Sequence, residues 1–202
     1  MEPKELILQG AEELFTRYGI KSITMDELSH HLSMSKKTIY QYFKDKDQLV
    51  LEVLHSHMSK QKCDMDNIFN TNTDVIKEMF EATIYMRNMT NKINPSILFD
   101  MRKYHPNAYA TFQKFKKEYI VENIKKSLQK GIDQGYFRKD IDIEILAKLR
   151  VEEIEIGFNM DVFPIGSHEF VEIHDQLFTH FIYGVCTIKG HKRFNELKEI
   201  IE

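Results

Sequence analysis

Residues 24–49 read TMDELSHHLSMSKKTIYQYFKDKDQL, and this stretch decides the fold. Thr24-Met25-Asp26-Glu27 has the form of a capping box. The Thr24 hydroxyl can accept the Glu27 amide, and the Glu27 carboxylate can reach back to the Thr24 amide. The box opens a short helix over 25–32. Ser33-Met34-Ser35 makes a turn, and Ser35 can cap a second short helix over 36–43. Asp45-Lys46-Asp47-Gln48 is a further capping-box-like start, for a longer helix from 46 to about 63. Upstream, Ile7, Ala11, Leu14, Phe15 and Tyr18 form one apolar stripe at helical spacing over 3–18, and Gly19 ends it. Two short helices across a tight turn, preceded by a packing helix, make a helix-turn-helix, with 36–43 in the recognition position.

Within that second helix, Ile39 and Phe43 are four apart and share a face, so they pack inward with Leu28, Leu32 and Phe15. Lys36, Lys37, Tyr40 and Gln41 project elsewhere, toward solvent or a groove. Residues 35–46 carry four lysines against Asp45, a net charge of +3. The first fifty residues as a whole carry seven basic against eight acidic groups. Lysines neutralise phosphates, hydroxyls and helix N-termini hold phosphate oxygens, and Gln and Lys read adenine and guanine edges. The plainer alternative for these side chains is a solvated helix surface.

The whole chain has 202 residues and a net charge of −3. Its composition, 42% hydrophobic and 29% charged, excludes a disordered, collagenous or membrane-embedded chain. The longest nearly apolar run, 181–188, is far short of the ~20 residues of a membrane span. The start, Met1-Glu2-Pro3-Lys4-Glu5, lacks a signal pattern, and Cys63 and Cys186 form no ligand-spaced pair. A reduced, cytoplasmic protein is expected. Helical spacing recurs with little strand-like alternation, so the fold class is all-α. Further helices are expected near 74–90, 96–104, 107–134, 143–160, 168–189 and 191–201. Pro95, Pro106, Pro164, Gly135 and Gly190 mark their breaks.

Two of these helices carry more apolar surface than one face needs. In 143–160, Ile143, Leu146, Ala147, Val151, Ile154 and Phe158 lie on one side, and Ile145, Leu149, Ile156 and Met160 nearly opposite. In 168–189 a half-cylinder includes Phe178, Phe181 and Val185. Both helices are either central in a monomer core or partly in an interface. Phe80, Tyr85, Met86, Met89, Phe99, Met101, Tyr104, Tyr109, Phe112 and Phe115 can line an adaptable apolar cavity or serve as ordinary core.

The stretch 24–49, with Ala11-Glu-Glu-Leu-Phe-Thr-Arg-Tyr-Gly19 upstream, resembles the N-terminal domain of the TetR/AcrR family of bacterial transcriptional regulators. The likeness is specific over about fifty residues. The remainder matches in layout, with Gly131-Ile-Asp-Gln-Gly-Tyr-Phe-Arg-Lys-Asp140 similar to the family's turn between its seventh and eighth helices. The resemblance implies a helix-turn-helix DNA-binding domain over 1–46. A helical effector-binding and dimerisation domain would follow over 47–202. By position, Lys37, Tyr40 and Gln41 would face bases. Thr24, Ser35, Thr38, Tyr42 and Lys46 would hold phosphates, with Lys36 adding charge. Ser33 stands where the family usually has glycine, and Ser29 where it usually has alanine, so that its hydroxyl can back-bond within the helix. The resemblance also implies an isologous homodimer, drawn here through Ile145, Leu149, Ile156, Phe178, Phe181 and Val185. It implies an effector cavity, for which Tyr85, Met89, Phe99 and Phe112 are the chosen lining. With no deeply placed cationic cluster visible, a largely apolar small-molecule effector is expected.

His30-His31 and the His55–His57 pair lack metal-ligand spacing, and no phosphate-binding glycine loop or nucleophile elbow occurs. Glu152, Glu153 and Glu155 read as a solvated face. No cofactor, metal or enzymatic activity is expected. The reading is a ligand-responsive regulator, a repressor first, that binds a palindromic double-stranded operator as a dimer. The alternatives are an activator, a regulator controlled by a protein partner, or a helical ligand-binding protein that does not use its head.

Overall fold

A computed structural model describes residues 2–91, 93–159, 161–164 and 166–201. Its helices are α1 (Pro3–Tyr18), α2 (Met25–His31), α3 (Lys36–Tyr42), α4 (Lys46–Thr71), α5 (Val75–Thr90), α6 (Ile97–Tyr104) and α7 (Pro106–Phe115). A π-helical turn (Lys116–Ile120) follows, then α8 (Val121–Asp133), α9 (Ile143–Ile156), α10 (Phe170–Val185) and α11 (Ile188–Ile201). The all-α expectation holds: an N-terminal helix-turn-helix precedes a helical C-terminal part. Met160, placed by periodicity at the end of α9, lies outside the described residues.

The chain packs as two units, one from Met1–Lys62 and Lys92–Lys114, the other from Cys63–Asn91 and Phe115–Glu202. In the first unit the local chemistry acts as the sequence dictates. The Thr24–Glu27 box is closed on both sides, with the Glu27 amide donating to Thr24 Oγ1 at 3.2 Å and the Thr24 amide to Glu27 Oε2 at 2.6 Å. Ser35 Oγ accepts the Thr38 amide at 3.1 Å and starts α3. Asp45 caps the Gln48 amide at 2.8 Å, while the Gln48 side chain reaches one residue further back, to the Lys44 amide. Ser29 Oγ donates to the Asp26 carbonyl at 2.8 Å. Ser33 has φ of 51°, the left-handed conformation that explains why glycine suits this turn. Ile7, Ala11, Phe15, Leu28, Ile39, Phe43 and Leu49 are buried together, and Met101 and Ala108 of α6 and α7 complete the same core. Each large apolar side chain so buried contributes about 1.5–3 kcal/mol.

The core of the second unit gathers Ile76, Met79, Leu128, Phe137, Ala147, Val151, Phe178, Phe181, Ile182 and Phe194. A buried carboxylate sits in it: Glu78 accepts from Ser127 Oγ and from Lys130 Nζ, both at 2.5 Å. Lys130 Nζ also donates to the Asn72 carbonyl at 2.7 Å, just past the end of α4. The sequence reading runs one helix through 168–189, but the chain breaks at Cys186. There the Arg138 amide donates to the Val185 carbonyl at 2.9 Å and the Thr187 amide to the Tyr136 carbonyl at 2.8 Å. This short bridge outcompetes continued helix. Gly190 then lies inside α11 and does not end a helix. A Cβ there would stand 2.2 Å from the Tyr136 carbonyl oxygen, so glycine permits the bridge to approach.

Candidate DNA-reading surface and effector region

α3 is held by its buried side, Ile39 with Phe43 just beyond its end, so its opposite side faces outward. Lys37, Tyr40 and Gln41 are all exposed there, at i, i+3 and i+4, which puts them on one face. Tyr42 and Lys44 are exposed beside them. Thr24 and Ser35 stand at the starts of α2 and α3, where hydroxyls and free amides can meet phosphate oxygens. The Ser35 and Thr38 hydroxyls lie 2.8 Å apart, so that one donates a hydrogen bond to the other.

The lysines divide. Lys36 pairs with Asp26 on α2, across two exposed side chains. Lys46 turns inward: its Nζ donates to the Ile20 carbonyl at 2.5 Å and lies 5.9 Å from the Phe15 ring centre. Burial pushes its pKa down, against the opposing pull of Asp100, Glu27 and Asp47. Within the described residues of 35–46, Lys37 and Lys44 therefore carry exposed positive charge without an ion pair. Lys44 also lines a groove of about 370 Å³, with Asp47, Gln48, Leu51, His105 and Asn107 among its other walls.

The four side chains chosen for an effector cavity divide between the units. Tyr85 and Met89 lie on α5 in the second, Phe99 on α6 and Phe112 on α7 in the first. Phe99 is exposed, with Lys103 Nζ 5.4 Å from its ring centre. Polar partners not foreseen appear in the second unit. Tyr85 donates to Asp64 Oδ2 at 3.0 Å, and Tyr119 to Asp66 Oδ1 at 2.7 Å. Burial first, then the carboxylates, push both phenol pKa values up. Tyr119 sits in the π-helical turn and stacks on Phe115 at 5.1 Å. Such turns recur at functional sites. Only their three-dimensional setting joins these residues, because Asp66 and Tyr119 are 53 positions apart.

Two expectations for this unit need correction. Glu153 and Glu155 do not belong to a solvated face. Glu153 pairs with Arg150 at 3.4 Å, and Glu155 with Lys116 at 2.8 Å; Glu152 is the exposed one. Arg150 is itself a buried cation, lying 5.2 Å and 5.7 Å from the Phe178 and Phe181 ring centres. The interface set also divides. Ile145, Leu149 and Ile156 on α9 are 62%, 47% and 38% exposed. Phe178, Phe181 and Val185, at 5%, 4% and 2%, fill the core of their own unit and have no free surface for a partner. This part of the apolar half-cylinder on α10 is covered within the chain.

His174 is buried, with no hydrogen-bond partner at Nε2 among the described residues; that nitrogen faces Gly157, where a Cβ would stand 2.5 Å away. Burial, with the Arg150 charge adding, pushes its pKa down to about 4. It is neutral in the fold, but protonated in the unfolded chain below about pH 6.5. Stability should therefore fall as the pH drops from about 6.5 to about 4, by on the order of 3 kcal/mol, with no further loss from this group below that. Urea midpoints across that range, compared with a His174→Phe variant, check this. An unflattened profile in the variant assigns the dependence to another group.

A capped α2, a tight turn and an α3 whose outer face carries Lys37, Tyr40 and Gln41 make a helix-turn-helix. Residues 7–53 match the family model for bacterial regulatory proteins of the tetR family. Over that stretch the chain is similar to the DNA-binding part of the tetR family. The HTH-type transcriptional regulator YvaF of Bacillus subtilis is 32% identical over 98 residues, which cover 48% of this chain and 52% of that one. The chain thus matches about half the length of that relative. The HTH-type transcriptional repressor AcnR of Corynebacterium jeikeium is 28% identical over 151 residues, 73% of this chain and 75% of that one. The structure of FadR from Bacillus subtilis in complex with stearoyl-CoA has a TM-score of 0.72 at 14% identity, over 89% of this chain and 98% of that one. That is a likeness of fold. Among the described residues, no helix is long and apolar enough to cross a membrane.

Proposed function

We propose that this chain is a ligand-responsive, DNA-binding transcriptional repressor that acts in the cytoplasm. The observation that carries the reading is the exposed Lys37–Tyr40–Gln41 face of α3, fixed from behind by Ile39 and Phe43. Lys37, Tyr40 and Gln41 read base edges, Thr24, Ser35, Thr38 and Tyr42 hold phosphates, and Lys36 adds charge. Lys46 supports the loop before α2 through Ile20, and contributes field as well as that contact. Two such heads bind a palindromic operator about one DNA turn apart. The dimer forms through the exposed α9 face of Ile145, Leu149 and Ile156. The effector enters the second unit near Tyr85 and Met89, where Tyr119 and the two aspartates add polar groups to an otherwise largely apolar lining. The fold likeness to a regulator crystallised with an acyl-CoA supports a small-molecule effector of this kind. Effector binding favours the conformer that does not fit the operator, and the operator is released by population shift.

Footprinting on the DNA flanking the chain's own gene tests the reading, with protection expected at low salt. Gln41→Ala should relax base choice at one operator position and cost about 1–3 kcal/mol there. A uniform loss across all sequences removes Gln41 from the base-reading set.

A further inference from the structure

The first unit carries a second cationic surface, outside the helix-turn-helix. Lys21 in the α1–α2 loop and Lys103 on α6 place their ammonium groups 5.3 Å and 5.4 Å from the centre of the Tyr104 ring. Lys103 also stands over Phe99. Both lysines are exposed, and neither forms an ion pair among the described residues, whereas Lys4 and Lys36 of the same unit pair with Glu52 and Asp26. The ammonium groups of Lys21 first, and of Lys103 against the opposing effect of burial, favour the ionised phenol of Tyr104 and pull its pKa down.

The nearby carboxylate makes no ion pair with either ammonium group among the described residues. Asp100 is buried and accepts the Lys21 backbone amide at 2.9 Å, with the Ser96 hydroxyl at 3.5 Å. That bond fixes the loop against α6 and holds the two lysines around one phenol. Like charges so placed repel each other, and an anion seated between them relieves the repulsion. Along the chain the surface lies close to the proposed phosphate contacts. Lys21 is three residues before Thr24, the N-cap of α2, and the carbonyl of Ile20 receives the Lys46 ammonium.

We propose that Lys21, Lys103 and Tyr104 form an accessory phosphate-contacting patch, through which the first unit grips the DNA backbone beside the base pairs that α3 reads. The patch rests on the DNA-binding reading above. Two ammonium groups and a phenol donor suit a phosphodiester. They carry no base-reading geometry, so the patch adds affinity and salt dependence without sequence choice.

The test is a salt titration of binding to a random-sequence duplex of about 30 base pairs, where each neutralised phosphate contributes about 0.9 to the slope of log affinity against log salt. A Lys21→Gln/Lys103→Gln variant removes both charges and keeps a polar side chain with part of each aliphatic stem. Its slope should be shallower by about 1–2 than that of the unaltered chain. Tyr104→Phe should keep the slope and weaken binding a few-fold, about the loss of one hydrogen bond. Circular dichroism checks the fold of each variant. Should the double variant lose its fold, Lys103→Glu alone takes its place and should lower affinity and slope together. An unchanged slope in a folded charge variant, with binding otherwise intact, overturns the patch and leaves the DNA-binding reading standing. No binding by the unaltered chain at low salt overturns both.

Discussion

Ile145→Lys combined with Leu149→Lys should lower affinity for a two-half-site operator by about 10²–10⁴-fold, the usual worth of linking two binding events. Both side chains are largely exposed on α9, so their replacement leaves the core of the second unit untouched. The cost to the protomer's own stability should stay within about 0.5 kcal/mol. Four added charges across a two-fold interface, two from each protomer, oppose association, because the same patch faces itself. Sedimentation should show a monomer, and affinity for a single half-site should survive. A dimer of unchanged mass places the interface on another surface.

Glu78→Ala is the substitution expected to cost the most stability. The carboxylate is buried, and its removal leaves the Ser127 hydroxyl without an acceptor and Lys130 without its counter-charge. Breaking a buried pair costs about 3–5 kcal/mol. Lys130 is partly exposed and keeps the Asn72 carbonyl, so the lower end, about 3 kcal/mol, is expected. For a chain of this length that corresponds to a fall in Tm of roughly 6–12 °C. Glu78→Gln keeps the shape and an acceptor for Ser127, and should cost about half as much. Thermal unfolding of the two variants checks this; equal, small losses would mean that the pair contributes little.

The reading head was legible because its determinants are local. Capping boxes act over three residues, and the 3.6-residue period separates Ile39 and Phe43 from Lys37, Tyr40 and Gln41. Even the anomaly at Ser33 was visible as a residue type out of place before its positive φ explained it. Where distant chain decides, the sequence was silent. Whether Lys46 points to phosphate or to a carbonyl depends on where Ile20 lies. Periodicity showed that Phe178, Phe181 and Val185 must be covered, but not by which chain. The break at Cys186 comes from pairing with Phe137, and the buried Arg150–Glu153 pair from rings on α10. Apart from the i, i+3 spacing of Arg150 and Glu153, these leave no local signature.

Met101 and Ala108 bear on how the head can be moved between proteins. They are contributed by a segment some forty residues downstream of the head's own helices, yet they fill its core. A chimera made by grafting residues 1–62 alone onto another regulator would inherit a core with two plugs missing. Transplanting operator preference while preserving solubility calls for carrying 92–114 along, or for exchanging only the outward residues of α3 and leaving the scaffold whole.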